Sequence, residues 1–262
     1  MMLNILWLKK TKVCAALALW SAFSLAQAAD KVEPIAMVNL PAGTLNMGCV
    51  AGRDDIENGC EQDESPSHLV NIRAFQIGKY EVTLGQWRAV MGRVPSGSKN
   101  CDDSCPVGNV SWDDAQLFIQ KLNASTTGGF RLPTEAEWEY ACRADSKTTY
   151  CGGNKLDELA WYDQNSKVNQ NPVGKKKPNA FGLYDMTGNV WEWVQDCRHT
   201  NYIGAPTDGS AWETACEGDR RRIRGGAWNS EAKYARAALR VSFAPSTRFF
   251  YTGLRLAKTV KP

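Results

Sequence analysis

The chain has 262 residues, with 31 Lys+Arg against 28 Asp+Glu. Its surplus of three positive charges belongs to Lys9, Lys10 and Lys12, which precede an apolar run over residues 13–25, about 13 residues long and short of the roughly 20 that span a bilayer. Ala26-Gln27-Ala28 then supplies the small-x-small pattern of a secretory cleavage site. Cleavage after Ala28 leaves residues 29–262 with 28 basic and 28 acidic side chains, a balance that excludes nucleic acid or an anionic membrane as a composition-driven partner. The expected product is an exported protein, periplasmic or secreted, with no membrane insertion. Cys14 lies inside the signal, away from where a lipid-attachment cysteine would sit.

Eight cysteines remain, Cys49, Cys60, Cys101, Cys105, Cys142, Cys151, Cys197 and Cys216. An even count in an oxidising compartment points to disulfides. Pairing of sequence neighbours (49 with 60, 101 with 105, 142 with 151, 197 with 216) is the simplest of the 105 pairings that eight cysteines allow. Zinc is disfavoured: Cys101 and Cys105 have an acceptable spacing, but no second such pair follows, and the only histidines are His68 and His199. No linker, repeat or low-complexity tract divides residues 29–262, so one domain is expected.

In chain order, strand-like pieces fall at 36–40 and 70–77, and a short helix at 83–91 in which Gly85 is a weak point. Ser111 and Asp114 form a capping pair ahead of Ala115, Phe118, Ile119 and Leu122 at helical spacing, and Thr134 and Glu137 form another just after Pro133. Further strand pieces are expected at 223–224 and 253–257. The remainder is Gly, Asn, Asp and Pro between aromatic residues, so much irregular backbone must be buried and its polar groups paired by side chains, ions or water. The expectation is a loop-rich α+β domain held by aromatic packing and disulfides.

Six segments carry a family resemblance. They are Gly78-Lys-Tyr-Glu-Val-Thr, Pro106-Val-Gly-Asn-Val-Ser-Trp-Asp-Asp-Ala, Arg131-Leu-Pro-Thr-Glu-Ala-Glu-Trp-Glu-Tyr-Ala, Asn179-Ala-Phe-Gly-Leu-Tyr-Asp-Met-Thr-Gly-Asn-Val-Trp-Glu-Trp, Arg224-Gly-Gly-Ala-Trp and Gly253-Leu-Arg-Leu-Ala. In this order the chain resembles the formylglycine-generating enzyme family, also called the sulfatase-modifying factor domain. The resemblance implies a single loop-rich α+β domain related to C-type lectins.

In active members of that family, copper held by two cysteines oxidises a sulfatase cysteine to formylglycine. Aligned on Gly225-Gly226, those cysteine positions fall on Ser230 and Ala235, and a further family serine falls on Ala227. Neither replacement offers the thiolate that Cu(I) prefers. A branch that binds iron through three histidines is also excluded, since only His68 and His199 are present. The resemblance further implies a structural calcium around Asp185, Gly188, Val190 and Glu192, where carboxylates and turn carbonyls suit a hard cation. The alternative is that Asp185 caps a turn and Glu192 pairs with an arginine. The peptide groove of the family would run near Arg224, Trp228, Asn229, Ser230 and Tyr234. Trp138, Trp191 and Trp193 are expected in the core, and Arg224, Arg240 and Arg255 are expected to bond buried carbonyls or carboxylates. Exported bacterial relatives without the cysteine pair include a type VI secretion regulator acting with a membrane Ser/Thr kinase, and proteins of pyoverdine siderophore maturation. The leading expectation is a non-catalytic periplasmic protein that binds a protein or peptide segment. The alternative is an oxidative tailoring enzyme of siderophore-maturation type, and a sulfatase-modifying oxidase comes third.

Overall fold

The computed structural model describes residues 34–54, 59–97 and 101–260. The expected export signal and Cys14 lie outside the described residues, which belong to one compact unit. Ten short strands and four helices follow in the order β1 (Met37–Leu40), β2 (Gly43–Met47), β3 (His68–Ile72), β4 (Phe75–Gly78), α1 (Leu84–Met91), α2 (Trp112–Ser125), β5 (Phe130–Arg131), α3 (Glu135–Arg143), α4 (Leu156–Leu159), β6 (Trp191–Cys197), β7 (Arg221–Arg224), β8 (Val241–Phe243), β9 (Thr252–Leu254) and β10 (Ala257–Thr259). This is the mixed, loop-rich α+β class expected.

The helices start where their caps stand. Thr83 accepts from the Gln86 N–H while Gln86 returns a bond to Thr83; Ser111 with Asp114 and Thr134 with Glu137 do the same for α2 and α3. Gly85 does not break α1, whose first turn is tied to the next loop by Gly85 N–H donating to the Asp103 carbonyl, 3.0 Å.

Two expected strands are each split. The run at 70–77 divides at Arg73 into β3 and β4, which join different sheets, and the run at 253–257 divides into β9 and β10, likewise in different sheets. One sheet has the order β1-β4-β10-β5, β2 and β3 pair alone, and a third sheet runs β8-β7-β6-β9 with β6 parallel to β9. Strand β6 escapes prediction because six of its seven residues are buried, so no polar alternation marks it.

One apolar cluster gathers β2, β3, β4 and α3 around Phe75, Ile77, Trp138 and Tyr140, and a second gathers α1, α2 and the third sheet around Trp87, Phe118, Trp193 and Leu254. Trp138 and Trp193 are fully buried, as expected.

Between these clusters lies a web of buried charge. Glu135, on the first turn of α3, receives Arg240 through both oxygens at 2.7–2.8 Å and Arg224 at 3.2 Å. One turn later Glu139 receives Arg224 at 2.7 Å and Arg143 at 2.9 Å. Glu64 takes a bidentate pair from Arg236 at 2.7 and 2.9 Å. Glu137 points elsewhere, to Arg131 at 2.6–2.7 Å. The same arginines bond loop backbone, as expected: Arg224 reaches the carbonyls of Ala237 and Ala238, and Arg255 those of Gly78 and Tyr184. Irregular segments thus have their carbonyls paired without sheet or helix.

Four disulfides join sequence neighbours: Cys49–Cys60, Cys101–Cys105, Cys142–Cys151 and Cys197–Cys216. They suit an oxidising compartment, and among the described residues no helix is long and apolar enough to cross a membrane. Cys142 and Cys151 are buried at the end of α3, separated by 9 residues. Replacing both with serine should lower stability by about 2.5 kcal/mol, the loop-closure value for so short a loop, as measured by urea unfolding under non-reducing conditions.

Candidate binding groove and cation loop

The segment after β7 turns sharply at Gly225 and Gly226. At Gly226, with φ +79°, a Cβ would come within 3.0 Å of the Tyr234 carbonyl, so only glycine lets this backbone pass under the turn at residues 232–235. The chain then tightens around Ser230. Its hydroxyl accepts the Ala227 N–H at 3.0 Å and its own N–H donates to the Ala227 carbonyl at 2.9 Å. Asn229, Ser230, Glu231 and Tyr234 thereby form one wall of a cavity of about 250 Å³, and Trp191, Val241, Phe243 and Tyr251 form the other. Phe249 stacks on Tyr251 at 5.0 Å and meets Phe243 edge-on at 4.8 Å, bracing that aromatic wall.

Three of the five expected groove residues, Asn229, Ser230 and Tyr234, meet at this cavity. Arg224 does not: it is fully buried in the charge web between Glu135 and Glu139, because the two carboxylates of α3 hold its guanidinium inward. Trp228 is half-buried outside the lining, with its backbone N–H donating to the Asn189 carbonyl at 2.8 Å. Sequence reasoning missed Val241, Phe243 and Tyr251, which stand in no motif and arrive through β8 and the segment before β9. Trp191, expected as core, is 6% exposed yet contributes to the cavity wall.

Thiol chemistry has no donor here. Every cysteine from Cys49 onward is in a disulfide. Ser230 is tied into its turn, and Ala235 and Ala227 are buried methyl groups.

Beside the groove runs the loop 185–192. Asp185 and Asn189 adopt left-handed φ of +54° and +61°, and Gly188 is required because a Cβ would lie 2.3 Å from the Trp161 carbonyl. Asn189 anchors the loop: its N–H donates to Trp161, its carbonyl accepts from Trp228, and its side chain bonds Glu81 at 2.8 Å and the Asn171 N–H at 3.0 Å.

A carboxylate offers about four lone-pair sites, and counting them tests the expected calcium ligands. Glu192 has none to spare, since Arg255 makes three contacts at 2.7–3.1 Å and the Trp138 indole one at 2.7 Å. The alternative weighed for Glu192, pairing with an arginine, is its observed state. Asp185 is the reverse: Oδ2 accepts the Gly174 N–H at 2.6 Å while the buried Oδ1 has no partner. Glu81 uses one bond per oxygen, from Val190 N–H and Asn189. Burial lifts the Asp185 carboxyl to about 6. It also pushes Glu81 well up, with the like charges of Asp185 and Glu192 adding to the effect. Three buried carboxylates face one buried arginine, Arg255, an imbalance that a divalent cation would correct. Asp185 and Glu81 supply oxygen donors of the kind a hard ion takes, and they are the side chains that would hold one. Among the described residues no three His, Cys, Asp or Glu side chains converge as a metal cluster, so carbonyls would have to complete the shell.

Comparison with known proteins supports the resemblance. The chain is 31% identical to the formylglycine-generating enzyme of Thermomonospora curvata, over 84% of this chain and 92% of that one. It is 34% identical to the chaperone protein LppX of Paenibacillus barcinonensis, over 53% of this chain and 69% of that one. Its fold superposes on the structure of PvdO from Pseudomonas aeruginosa with a TM-score of 0.76 and 32% identity, covering 86% of this chain and 94% of that one. The model of the sulfatase-modifying factor enzyme 1-like domain matches residues 22–260, and the chain belongs to that family.

Proposed function

We propose that this protein is an exported, non-catalytic binding or regulatory member of its family, using the groove at Ser230 and Tyr234 to hold a partner polypeptide segment. The observation that carries this reading is the complete engagement of the cysteines from Cys49 onward in disulfides, together with Ser230 and Ala235 at the family's copper positions. The cavity is smaller than the roughly 300–1,000 Å³ of small-molecule sites and suits a single side chain of a docked segment. Similarity to a chaperone protein is consistent with polypeptide binding, and regulation of type VI secretion is one setting for such a role. Incubation with copper and a sulfatase-type cysteine peptide should yield no aldehyde by mass spectrometry. A photo-crosslinking residue at Tyr234 should instead label a periplasmic polypeptide, and aldehyde formation would overturn the reading.

A second reading, oxidative tailoring of the siderophore-maturation type, draws on the aromatic lining of the cavity, with Trp191 and Tyr251 on one wall and Tyr234 on the other, as a stacking site for an aromatic substrate. Oxygen uptake with a catechol-type precursor, lost on Tyr234→Ala, would favour it over the first. In either case we infer that calcium is a structural cofactor held by Asp185 and Glu81.

A further inference from the structure

A second cavity, of about 440 Å³, shares no lining residue with the groove. It lies where the end of α1, the loop at residues 93–96, Asn109, the first turn of α2 and Arg248 meet. Trp87, Met91, Val94 and Pro95 give it an apolar side, and Arg93 and Arg248 give it a cationic one. Its volume is within the usual range for small-molecule sites.

The walls are built and held. Trp87 is 4% exposed and stacks on Phe118 at 4.9 Å with an interplanar angle of 2°, so its ring is fixed. Asn109 ties two walls together: its side-chain amide donates to the Ser96 carbonyl and hydroxyl at 3.0 and 3.2 Å, and its backbone N–H donates to the Phe249 carbonyl at 2.9 Å. Asp114, locked in the capping box with Ser111, receives Arg248 through Nε and Nη2 at 2.6 and 2.7 Å. That pair orients the guanidinium and leaves Nη1 outside the ion pair. Arg93 is exposed and makes no ion pair among the described residues. Among the lining residues two guanidiniums stand against one carboxylate, with the charge of Asp113 also acting on Arg248 from outside the lining.

We propose that this cavity binds a small organic carboxylate with an apolar body. The ring or branched chain would lie against Trp87, Met91 and Val94, and the carboxylate would accept from Arg93 and from Nη1 of Arg248, the nitrogen outside the Asp114 pair. Arginine suits this task because its planar donors match carboxylate geometry, and a half-enclosed site is screened less than open surface. The site is independent of the groove, so the two proposals stand or fall separately.

Phenylacetate, titrated into the full chain and followed by calorimetry and by the Trp87 indole N–H resonance, tests it. Saturable binding is expected, with the neutral isostere phenylacetamide about tenfold weaker, the loss of one charge-assisted hydrogen bond. Arg93→Gln, at an exposed position, should weaken phenylacetate by about fivefold or more and leave phenylacetamide unchanged. Met91→Trp should fill the cavity and abolish binding, and Tyr234→Ala, in the groove, should not alter it. Equal affinity for acid and amide, no effect of Arg93→Gln, or no saturation at millimolar phenylacetate would each overturn the proposal. If Met91→Trp does not fold, the acid–amide comparison and Arg93→Gln still decide.

Discussion

Replacing Glu135 with alanine is expected to lower stability by about 3 to 5 kcal/mol, because it strands buried arginines rather than merely removing a contact. Glu135 is 2% exposed; Arg240 chelates it through Nε and Nη2, and Arg224 adds a third bond. Burial by itself would raise this carboxyl, but Arg240 and Arg224 outweigh it and hold it at about 2, below its ordinary 4.5. The stabilisation is therefore fully present above pH 4.5 and is lost as pH falls toward 2, by about 3 kcal/mol in all. Urea titrations of wild type and Glu135→Ala at pH 7 and pH 3 measure it. The gap between the two proteins should shrink markedly at pH 3, and a gap independent of pH would refute the ionic account. Asp196, pushed up to about 7 by burial and by the charge of Glu135, has the opposite slope, losing stability as pH rises through that range. Glu135→Ala relieves part of that shift, so the difference between the two proteins reads the Glu135 ion pairs together with this coupling to Asp196.

Chelation should give the second large effect. A ligand that binds only the folded state at a hundred times its Kd adds about 2.7 kcal/mol, so EDTA should lower the melting temperature and calcium should restore it. The response should vanish in Asp185→Ala and in Glu81→Ala. Glu192→Gln should be destabilised, because it weakens the pairing with Arg255, yet should still respond to calcium. The lone-pair count makes this distinction: Glu192 is filled by Arg255 and Trp138, whereas Asp185 Oδ1 has no partner. Identical melting curves in EDTA and calcium would remove the ion from the account, and loss of the response in Glu192→Gln with retention in Glu81→Ala would reverse the assignment.

Local signals were the most legible. Two capping boxes located the starts of α2 and α3, because a cap is written in four adjacent residues. The disulfides join cysteines close in sequence. Strand partitioning was hidden, since the break at Arg73 separates two sheets without any glycine or proline to announce it. At the site, Asn229, Ser230 and Tyr234 were visible through their motif, while Phe243 and Tyr251 come from segments whose place is decided only by long-range pairing with β7 and β6. Arg224 was misplaced because a motif gives chain position but not the direction of a side chain, which Glu135 and Glu139 determine. Glu81 was overlooked as a partner of the 185–190 loop for a related reason: it lies about a hundred residues upstream of the loop it supports.

The placing of β9 and β10 has a further consequence. β10 lies between β4 and β5, and β9 borders β6, so two sheets share their closing pieces within residues 252–259. Neither sheet can be completed during synthesis before those residues leave the ribosome. A polypeptide with that dependence keeps both layers incomplete until residues 252–259 emerge, and a nick or deletion there would disturb both together.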